Sequence, residues 1–159
     1  MKINIRPMTY EDKPGIVKML SHTPEFKPFE VVVAEEIIDS YLEDPCSSGY
    51  YILVAEDDSA LAGYICYGST PLTEGTWDIY WNAVAQEKRR QGIGRLLMKS
   101  AEKEIIRAKG RLALIETSST PAYEASRRFH AGNGYEIIAR IPDFYAPGDD
   151  KLILQKRLR

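Results

Sequence analysis

The sequence predicts an α/β domain in which one mixed sheet carries helices on its faces. Three observations predict this class. Apolar residues recur at helical spacing from Ile93 to Ala108. The run from Leu112 to Ile115 is wholly apolar, as expected for a strand at the middle of a sheet. Short β-rich runs bounded by turn residues precede and follow these two segments.

The N-terminal half is predicted to place two helices between a first strand and a hairpin. Alternation indicates strands, and apolar positions three or four apart indicate helices. The turn at 56–59 separates two β-rich runs, which predicts an antiparallel pair. The predicted elements are a strand over 3–8, helices over 10–20 and 30–42, a break over 45–49, and strands over 50–55 and 61–67.

The C-terminal half is predicted to continue with strands and helices in alternation. Gly110 is a natural stop for the long helix, and Pro121 stands near the start of the next helix. The predicted elements are strands over 76–85, 112–115, 135–141 and 152–158, helices over 93–108 and 121–131, and a loop over 142–150.

Length and composition favour an ordinary single domain over residues 1–159. The net charge of -2 gives no general attraction to nucleic acid or to an anionic membrane, so neither is expected as a partner. The chain shows no transmembrane run or signal peptide, which leads us to expect a cytoplasmic protein. No residues have metal-ligand spacing, and no metal is expected.

The most informative segment is the basic turn, defined here as Arg89-Arg90-Gln91-Gly92-Ile93-Gly94-Arg95. A strand, a glycine-rich basic turn and a helix in this order form an arrangement that holds phosphate. Glycines allow close approach of the backbone, and the helix start offers free N–H groups. The bland alternative is a glycine-bearing turn with solvated arginines. Neither a Walker loop nor the GxGxxG fingerprint is present, which weakens the further alternative of a nucleotide-binding module.

The order of elements and two motifs resemble the GNAT (Gcn5-related N-acetyltransferase) family. The first motif, Gln/Arg-x-x-Gly-x-Gly/Ala after an apolar strand, corresponds to the basic turn. The second, Asn-x-x-Ala-x-x-Phe-Tyr-x-x-x-Gly-Phe, corresponds to residues 123–135. Phe129, Gly134 and Tyr135 fit this pattern, whereas Tyr123 replaces Asn, Ser126 replaces Ala and His130 replaces Tyr.

The resemblance implies a GNAT fold, with a mostly antiparallel sheet of about seven strands flanked by about four helices. It also implies acetyl-coenzyme A as donor. In the family, backbone groups at the end of the strand that precedes the basic turn, here the strand over 76–85, hold the acetyl carbonyl and pantetheine. The amides of the turn hold the pyrophosphate. The implied cofactor residues are Asn82, Ala83, Val84, Arg89, Arg90, Gln91, Gly92, Ile93, Gly94, Arg95 and Tyr123.

Acetyl transfer from a thioester needs a base that keeps the attacking amine neutral. Glu116 follows an apolar strand and matches the catalytic Glu of family members that acetylate ribosomal-protein N-termini. Its alternative role is a strand-end carboxylate paired with a neighbouring Arg. Asp78 on the preceding strand is the second candidate, as a base or as a substrate contact.

Two further positions complete the predicted site. His130 stands in place of the tyrosine acid of the family, and an imidazole can donate a proton near neutral pH. Its alternative role is that of a surface histidine on a helix. Tyr145, in the predicted late loop, is a candidate for lining the acceptor site. Trp77, Tyr80 and Trp81 favour core packing over a dimer surface, and a homodimer is left open.

The leading hypothesis is therefore an N-acetyltransferase that acts on a primary amine of a small molecule, peptide or protein. The Glu116 position and a tyrosine in the late loop favour a peptide or protein amine. The second hypothesis is a non-catalytic acetyl-coenzyme A sensor or regulatory protein, which the altered second motif favours.

Overall fold

A computed structural model of the chain describes residues 2–159. Its elements, in chain order, are β1 (Ile3–Pro7), α1 (Lys13–Ser21), α2 (Pro28–Glu43), α3 (Pro45–Ser48), β2 (Tyr51–Asp57), β3 (Ala60–Ser69), β4 (Thr76–Val84), α4 (Ile93–Arg107), β5 (Leu112–Ser118), α5 (Glu124–Gly132), β6 (Glu136–Ala146) and β7 (Asp149–Arg157). Short 3-10 turns occur at Tyr10–Asp12, Gln86–Lys88 and Pro121–Tyr123.

The seven strands form one sheet in the order β1-β2-β3-β4-β5-β7-β6. All neighbours are antiparallel except β4 and β5, which are parallel. The predicted mixed, mostly antiparallel sheet of about seven strands is therefore confirmed. The described chain has five α-helices because α3 forms a single turn within the segment that the sequence marked as a break.

The sheet separates two apolar cores. On one face, α4 buries Ile93, Leu97 and Ile105 against sheet residues such as Ile65 and Ile115. On the other face, α1 and α2 cover a second cluster of buried residues. That cluster consists of Met8, Ile16, Leu20, Ala34, Ile38, Ile52, Val54, Tyr64, Cys66 and Ala83. Each helix thus carries an apolar stripe toward the sheet, as its residue spacing predicts.

The parallel pair β4–β5 separates partway along its length. Pairing joins Thr76–Ile79 to residues 112–115 and then stops. Beyond this point β4 stays on β3 as far as Val84, while β5 stays on β7 as far as Ser118. The space between residues 80–84 of β4 and 116–118 of β5 is called the cleft below. No local sequence pattern signals this opening, because it depends on how two distant strands diverge.

A β-bulge lies where the cleft begins. Cys66 pairs with Trp81 and Tyr67 pairs with Ile79, so Tyr80 is the extra residue on β4. A bulge inserts one unpaired residue and shifts the alternation of side chains beyond it. Trp77 and Ile79 accordingly belong to the α4 core, whereas Trp81 and Ala83 pack with the α1–α2 core.

The largest error in the sequence prediction concerns the last hairpin. Residues 142–150 were expected to be a loop, but β6 continues to Ala146 and β7 begins at Asp149. Pro142 and Asp143 (φ 55°) fit into the strand because its register shifts between Ile141 and Ala146. Such irregularity is tolerated because β6 is an edge strand.

Among the helices of residues 2–159, none combines the length and the apolar character needed to cross a membrane.

Candidate active site

The basic turn joins β4 to α4 with two residues in the left-handed region, Arg90 (φ 64°) and Gly92 (φ 80°). Glycine adopts this conformation freely. Leu96 N–H donates to Gly92 O over 3.0 Å, which is the first hydrogen bond of α4. The N–H groups of Ile93, Gly94 and Arg95 precede it and have no partner within the helix. Together with the positive end of the helix dipole, they suit an anion.

Gly94 has a packing role that differs from the conformational role of Gly92. A Cβ atom at Gly94 would lie 3.2 Å from Cζ of Phe129 and 3.6 Å from Cγ2 of Val84. The missing side chain therefore lets α5 pack against the first turn of α4. Asn82 Nδ2 also donates to Gly94 O over 3.2 Å. Residues of both sequence motifs thus meet at the end of β4.

The side chains of the basic turn divide into three groups. Arg90, Gln91 and Arg95 are exposed. Ile93 is buried in the α4 core, so only its backbone is open to a ligand. The guanidinium of Arg89 turns toward Glu25, with both terminal nitrogens 3.3 Å from the two carboxylate oxygens.

The backbone at the end of β4 presents N–H groups to the cleft. Ala85 N–H donates to Ala62 O over 2.8 Å, so it faces β3. Successive residues of an antiparallel strand direct their backbone groups to opposite sides. The N–H groups of Val84 and Asn82 therefore face the cleft, whereas that of Ala83 faces β3.

Glu116 is the first residue of β5 beyond the parallel pairing, and its side chain is 43% exposed. Its carboxylate forms an ion pair with Lys151 on β7. The ammonium of Lys151 also lies 4.2 Å from the ring centroid of Phe144, a cation–π contact. The partner of Glu116 is thus a lysine, not the arginine that the sequence alternative named, and the carboxylate stands at the side of the cleft opposite β4.

Asp78 and Tyr80 lie near the start of the cleft. Asp78 Oδ2 accepts a hydrogen bond from Thr70 Oγ1 over 2.6 Å. Burial raises the pKa of Tyr80 to about 12, and negative groups that include Asp78 and Glu116 add to the effect. Tyr80 therefore stays neutral, within electrostatic reach of both candidate bases.

Two more tyrosines lie on the far side of the cleft. Burial raises the pKa of Tyr145, and the charge of Glu116 adds to the effect. The Tyr145 ring packs edge-on against Phe144 with 5.0 Å between centroids. Phe144 carries the ammonium of Lys151, the partner of Glu116. Tyr145 lies on β6 rather than in a loop. The hydroxyl of Tyr123 donates to the backbone O of Glu25 over 3.1 Å, so it is engaged with the loop between α1 and α2.

His130 is buried, with 7% of its surface exposed, so the surface-histidine alternative is wrong. Its ring lies 5.3 Å from Phe129 and 6.1 Å from Tyr135 between centroids. Within residues 2–159 its Nδ1 has no hydrogen-bond partner. Burial lowers the pKa of His130 to about 4, which leaves almost no imidazolium at neutral pH. The general-acid role of His130 stays a prediction. The lowered pKa argues against it, because a neutral imidazole has no extra proton to give.

Sequence reasoning missed three residues that organise the site. Glu25 contacts both Arg89 and Tyr123, and Lys151 pairs with Glu116. Arg127 donates to the backbone O atoms of Ser118 and Thr120 and so fixes the connection from β5 to α5. The pairs formed by Glu25 span 64 and 98 residues of sequence, and no local pattern signals contacts of that range.

Within the part of the chain that the structure describes, no group of three or more His, Cys, Asp or Glu side chains is placed to hold a metal ion.

Comparison with known proteins identifies the family. The model of the acetyltransferase (GNAT) family matches residues 16–135. A GNAT-family acetyltransferase structure from Desulfovibrio desulfuricans is 35% identical, with a TM-score of 0.96, and the match covers 99% of this chain and 100% of that one. No curated protein matches the chain.

Two further structures share the fold. The ribosomal-protein-alanine N-acetyltransferase of Brucella melitensis is 25% identical, with a TM-score of 0.77 and coverage of 97% of this chain and 99% of that one. The PaiA N-acetyltransferase of Thermoplasma acidophilum, solved with coenzyme A, is 16% identical, with a TM-score of 0.77 and 99% coverage of both chains. This chain therefore belongs to the acetyltransferase (GNAT) family.

Proposed function

We propose that the chain is an acetyl-coenzyme A-dependent N-acetyltransferase that acts on a primary amine. The observation that carries the proposal is the cleft itself. It opens where β4 and β5 separate, next to a helix start with free N–H groups, and Glu116 lies across it. The free N–H groups at the helix start, the N–H groups at the end of β4 and the Glu116 carboxylate therefore surround one opening in the sheet.

The residues present fit coenzyme A. The N–H groups of Ile93, Gly94 and Arg95 suit the pyrophosphate, and the exposed side chains of Arg90 and Arg95 add charge. The cleft-facing N–H groups of Asn82 and Val84 suit the pantetheine amides and the acetyl carbonyl oxygen. When bound, acetyl-coenzyme A supplies an activated acetyl thioester.

The residues around the cleft have distinct proposed roles. The N–H groups at the end of β4 stabilise negative charge on the carbonyl oxygen. Glu116 takes the proton of the amine, directly or through one water molecule, as the amine nitrogen bonds to the acetyl carbon and the C–S bond breaks. The same proton neutralises the departing thiolate, so that the products are the amide and the free thiol. Tyr145 and Tyr80 lie on the acceptor side, and their neutral hydroxyls orient the amine.

The amino terminus of a peptide or protein is the favoured acceptor. Glu116 pairs with Lys151, whose ammonium lies over the ring of Phe144, the neighbour of Tyr145, and this arrangement supports the sequence-based argument for such an acceptor. The similar Brucella melitensis protein, at 25% identity, is a ribosomal-protein-alanine N-acetyltransferase, which adds support.

Binding is tested first, by the thermal midpoint of unfolding. A ligand of the native state stabilises it by about 2.7 kcal/mol at a hundredfold excess over its Kd. We expect acetyl-coenzyme A to raise the midpoint and equal concentrations of ATP and NAD to leave it nearly unchanged. An equal rise with all three would favour a nucleotide-binding module.

Catalysis is tested by release of free thiol from acetyl-coenzyme A over a panel of peptides and small amines. We expect Glu116→Gln to lower kcat by about 100-fold, the size typical of losing a general base. Glu136→Gln, an exposed glutamate on the edge strand β6, is the matched control. If Asp78→Asn causes the larger loss, Asp78 is the base. Tight cofactor binding without thiol release on any amine would favour the sensor hypothesis.

We propose the edge strand β6 as the interface of any homodimer that the chain forms. Trp77 and Trp81 pack inside the domain, so they are poor candidates for an interface. The edge strand β6 exposes Ile137, Ile138 and Ile141, which makes it the better candidate. Sedimentation equilibrium of the purified chain decides between one copy and two.

A further inference from the structure

The loop between α1 and α2, residues 22–27, connects the two sides of the cleft. The side chain of Glu25 binds Arg89, the first residue of the basic turn, and its backbone O accepts from the Tyr123 hydroxyl beyond β5. Phe26, the next residue, packs on Trp81 of β4 with 6.0 Å between ring centroids. The loop is therefore fixed to three segments that border the cleft.

The loop is a hydrogen-bonded turn. Thr23 is buried, its hydroxyl donates to Met19 O, and its backbone O accepts from Phe26 N–H over 3.0 Å. The loop runs directly into Pro28, the first residue of α2. Glu25 and Phe26 therefore lie on a short segment whose two ends are held by α1 and α2.

The guanidinium of Arg89 is occupied by an ion pair within the protein. Both terminal nitrogens face Glu25, and the side chain is 37% exposed against 39% for Glu25. Burial raises the pKa of Glu25, but the hydrogen bonds from Arg89 and from its own backbone outweigh this and lower it overall. Glu25 is thus charged at neutral pH. We therefore assign anion binding to the free N–H groups at the start of α4 and to the side chains of Arg90 and Arg95.

The same loop is joined to the start of α2. Lys27, its last residue, donates its backbone N–H to Glu30 Oε1 in the first turn of α2 over 3.0 Å. The loop therefore contacts the donor side through Arg89 and is tied to α2 at its other end.

We infer that Glu25 is a positioning residue that couples occupancy of the donor site to the order of the loop over residues 22–27. The inference rests on the proposed binding of coenzyme A. When the basic turn is held by the pyrophosphate, Arg89 is held with it, and the Glu25 pair then restrains residues 22–27. Such coupling is reciprocal, so an acceptor that orders the loop also tightens donor binding.

Backbone hydrogen exchange with coenzyme A as the probe tests the coupling. In the unmodified protein we expect coenzyme A to slow exchange in a peptide over residues 86–96 and in one over residues 20–30. An exposed ion pair contributes modestly, so a slowing of about fivefold is expected in the loop. In Glu25→Gln the turn is still slowed and the loop is not.

The matched control is Glu87→Gln, an exposed glutamate in the 3-10 turn before Arg89, which should behave as the unmodified protein. Tyr123→Phe removes the hydroxyl that reaches Glu25 O and should weaken the slowing of the loop when measured at a coenzyme A concentration that saturates the variant. The thermal midpoints of all variants without ligand show whether each one is folded.

Three outcomes overturn the inference in different ways. If coenzyme A slows neither region, the proposed function fails and the coupling with it. If it slows the turn but not the loop of the unmodified protein, or speeds exchange in the loop, the coupling alone is wrong. If it slows the loop equally in Glu25→Gln, the link does not run through Glu25.

Discussion

At the scale of single residues, His130 shows how the surroundings of a side chain decide its chemistry. The sequence places it where related proteins carry a tyrosine acid. The structure buries it between Phe129 and Tyr135 with an unpaired Nδ1, and burial lowers its pKa to about 4. The neutral, buried imidazole packs in the core, but it lowers the stability of the fold because its Nδ1 atom is left without a hydrogen-bond partner.

That cost predicts a pH-dependent stability. Unfolded His130 has a pKa of 6.5, so between pH 6.5 and 4 the unfolded chain binds a proton that the native chain does not. Stability therefore falls as the pH drops through this window, by about 3 kcal/mol at its lower end. We expect His130→Phe to lose this part of the pH dependence and to be more stable than the unmodified protein at pH 5.

Urea unfolding of both proteins at several pH values measures the difference. All other side chains are common to both proteins, so the difference between the two curves reports on His130 alone. Parallel stability curves from pH 7 to pH 4 would contradict the assigned environment of His130.

At the scale of elements, the contact between α4 and α5 depends on Gly94. Alanine there places a Cβ atom 3.2 Å from the Phe129 ring, so the ring must move. Overpacking costs about 1–3 kcal/mol, and the better helix propensity of alanine returns at most about 1 kcal/mol. We expect Gly94→Ala to lower the free energy of unfolding by about 1 kcal/mol.

Gly132→Ala is the matched control for this prediction. Gly132 also lies in a helix, at the end of α5, but a Cβ atom added there would have no neighbouring atom within 4 Å. Alanine there should raise the free energy of unfolding by about 0.5–1 kcal/mol. Urea unfolding of the two variants should show opposite signs, and equal signs would refute the packing role of Gly94.

The elements differ in how well the sequence predicted them. The long helix α4 and the apolar strand β5 were found because local periodicity and turn residues define them. The last hairpin was misplaced because Pro142, Asp143 and Gly148 are typical of loops, and only their position on an edge strand accommodates them. The proposed donor-side residues lie mostly along one continuous segment, so a local sequence motif is enough to suggest them. Lys151 and Glu25 could not be predicted, because their partners are distant in sequence.

At the scale of the whole molecule, we propose that the chain folds as one cooperative domain. Trp77 lies in the α4 core and Trp81 borders the α1–α2 core, and the same strands form the floor of both. Neither core is expected to persist when the sheet is lost. In Trp77→Phe and Trp81→Phe, each with one remaining tryptophan, fluorescence and far-UV circular dichroism should give one midpoint of urea unfolding. Separate midpoints within either variant would show that the cores unfold independently.

The bulge at Tyr80 has a consequence for how β4 tolerates change. It reverses the side-chain alternation of the strand. Trp77 and Ile79, before the bulge, face the α4 core, whereas Trp81 and Ala83, after it, face the α1–α2 core. One strand thereby contributes side chains to both cores, and Asn82 still donates a hydrogen bond to Gly94 O at the start of α4. Because Ile79 already faces the α4 core and Trp81 the α1–α2 core, loss of Tyr80 itself would restore regular alternation and leave Trp81, Asn82 and Ala83 on their present faces. Loss of one residue after the bulge would instead exchange the environments of the residues that follow it.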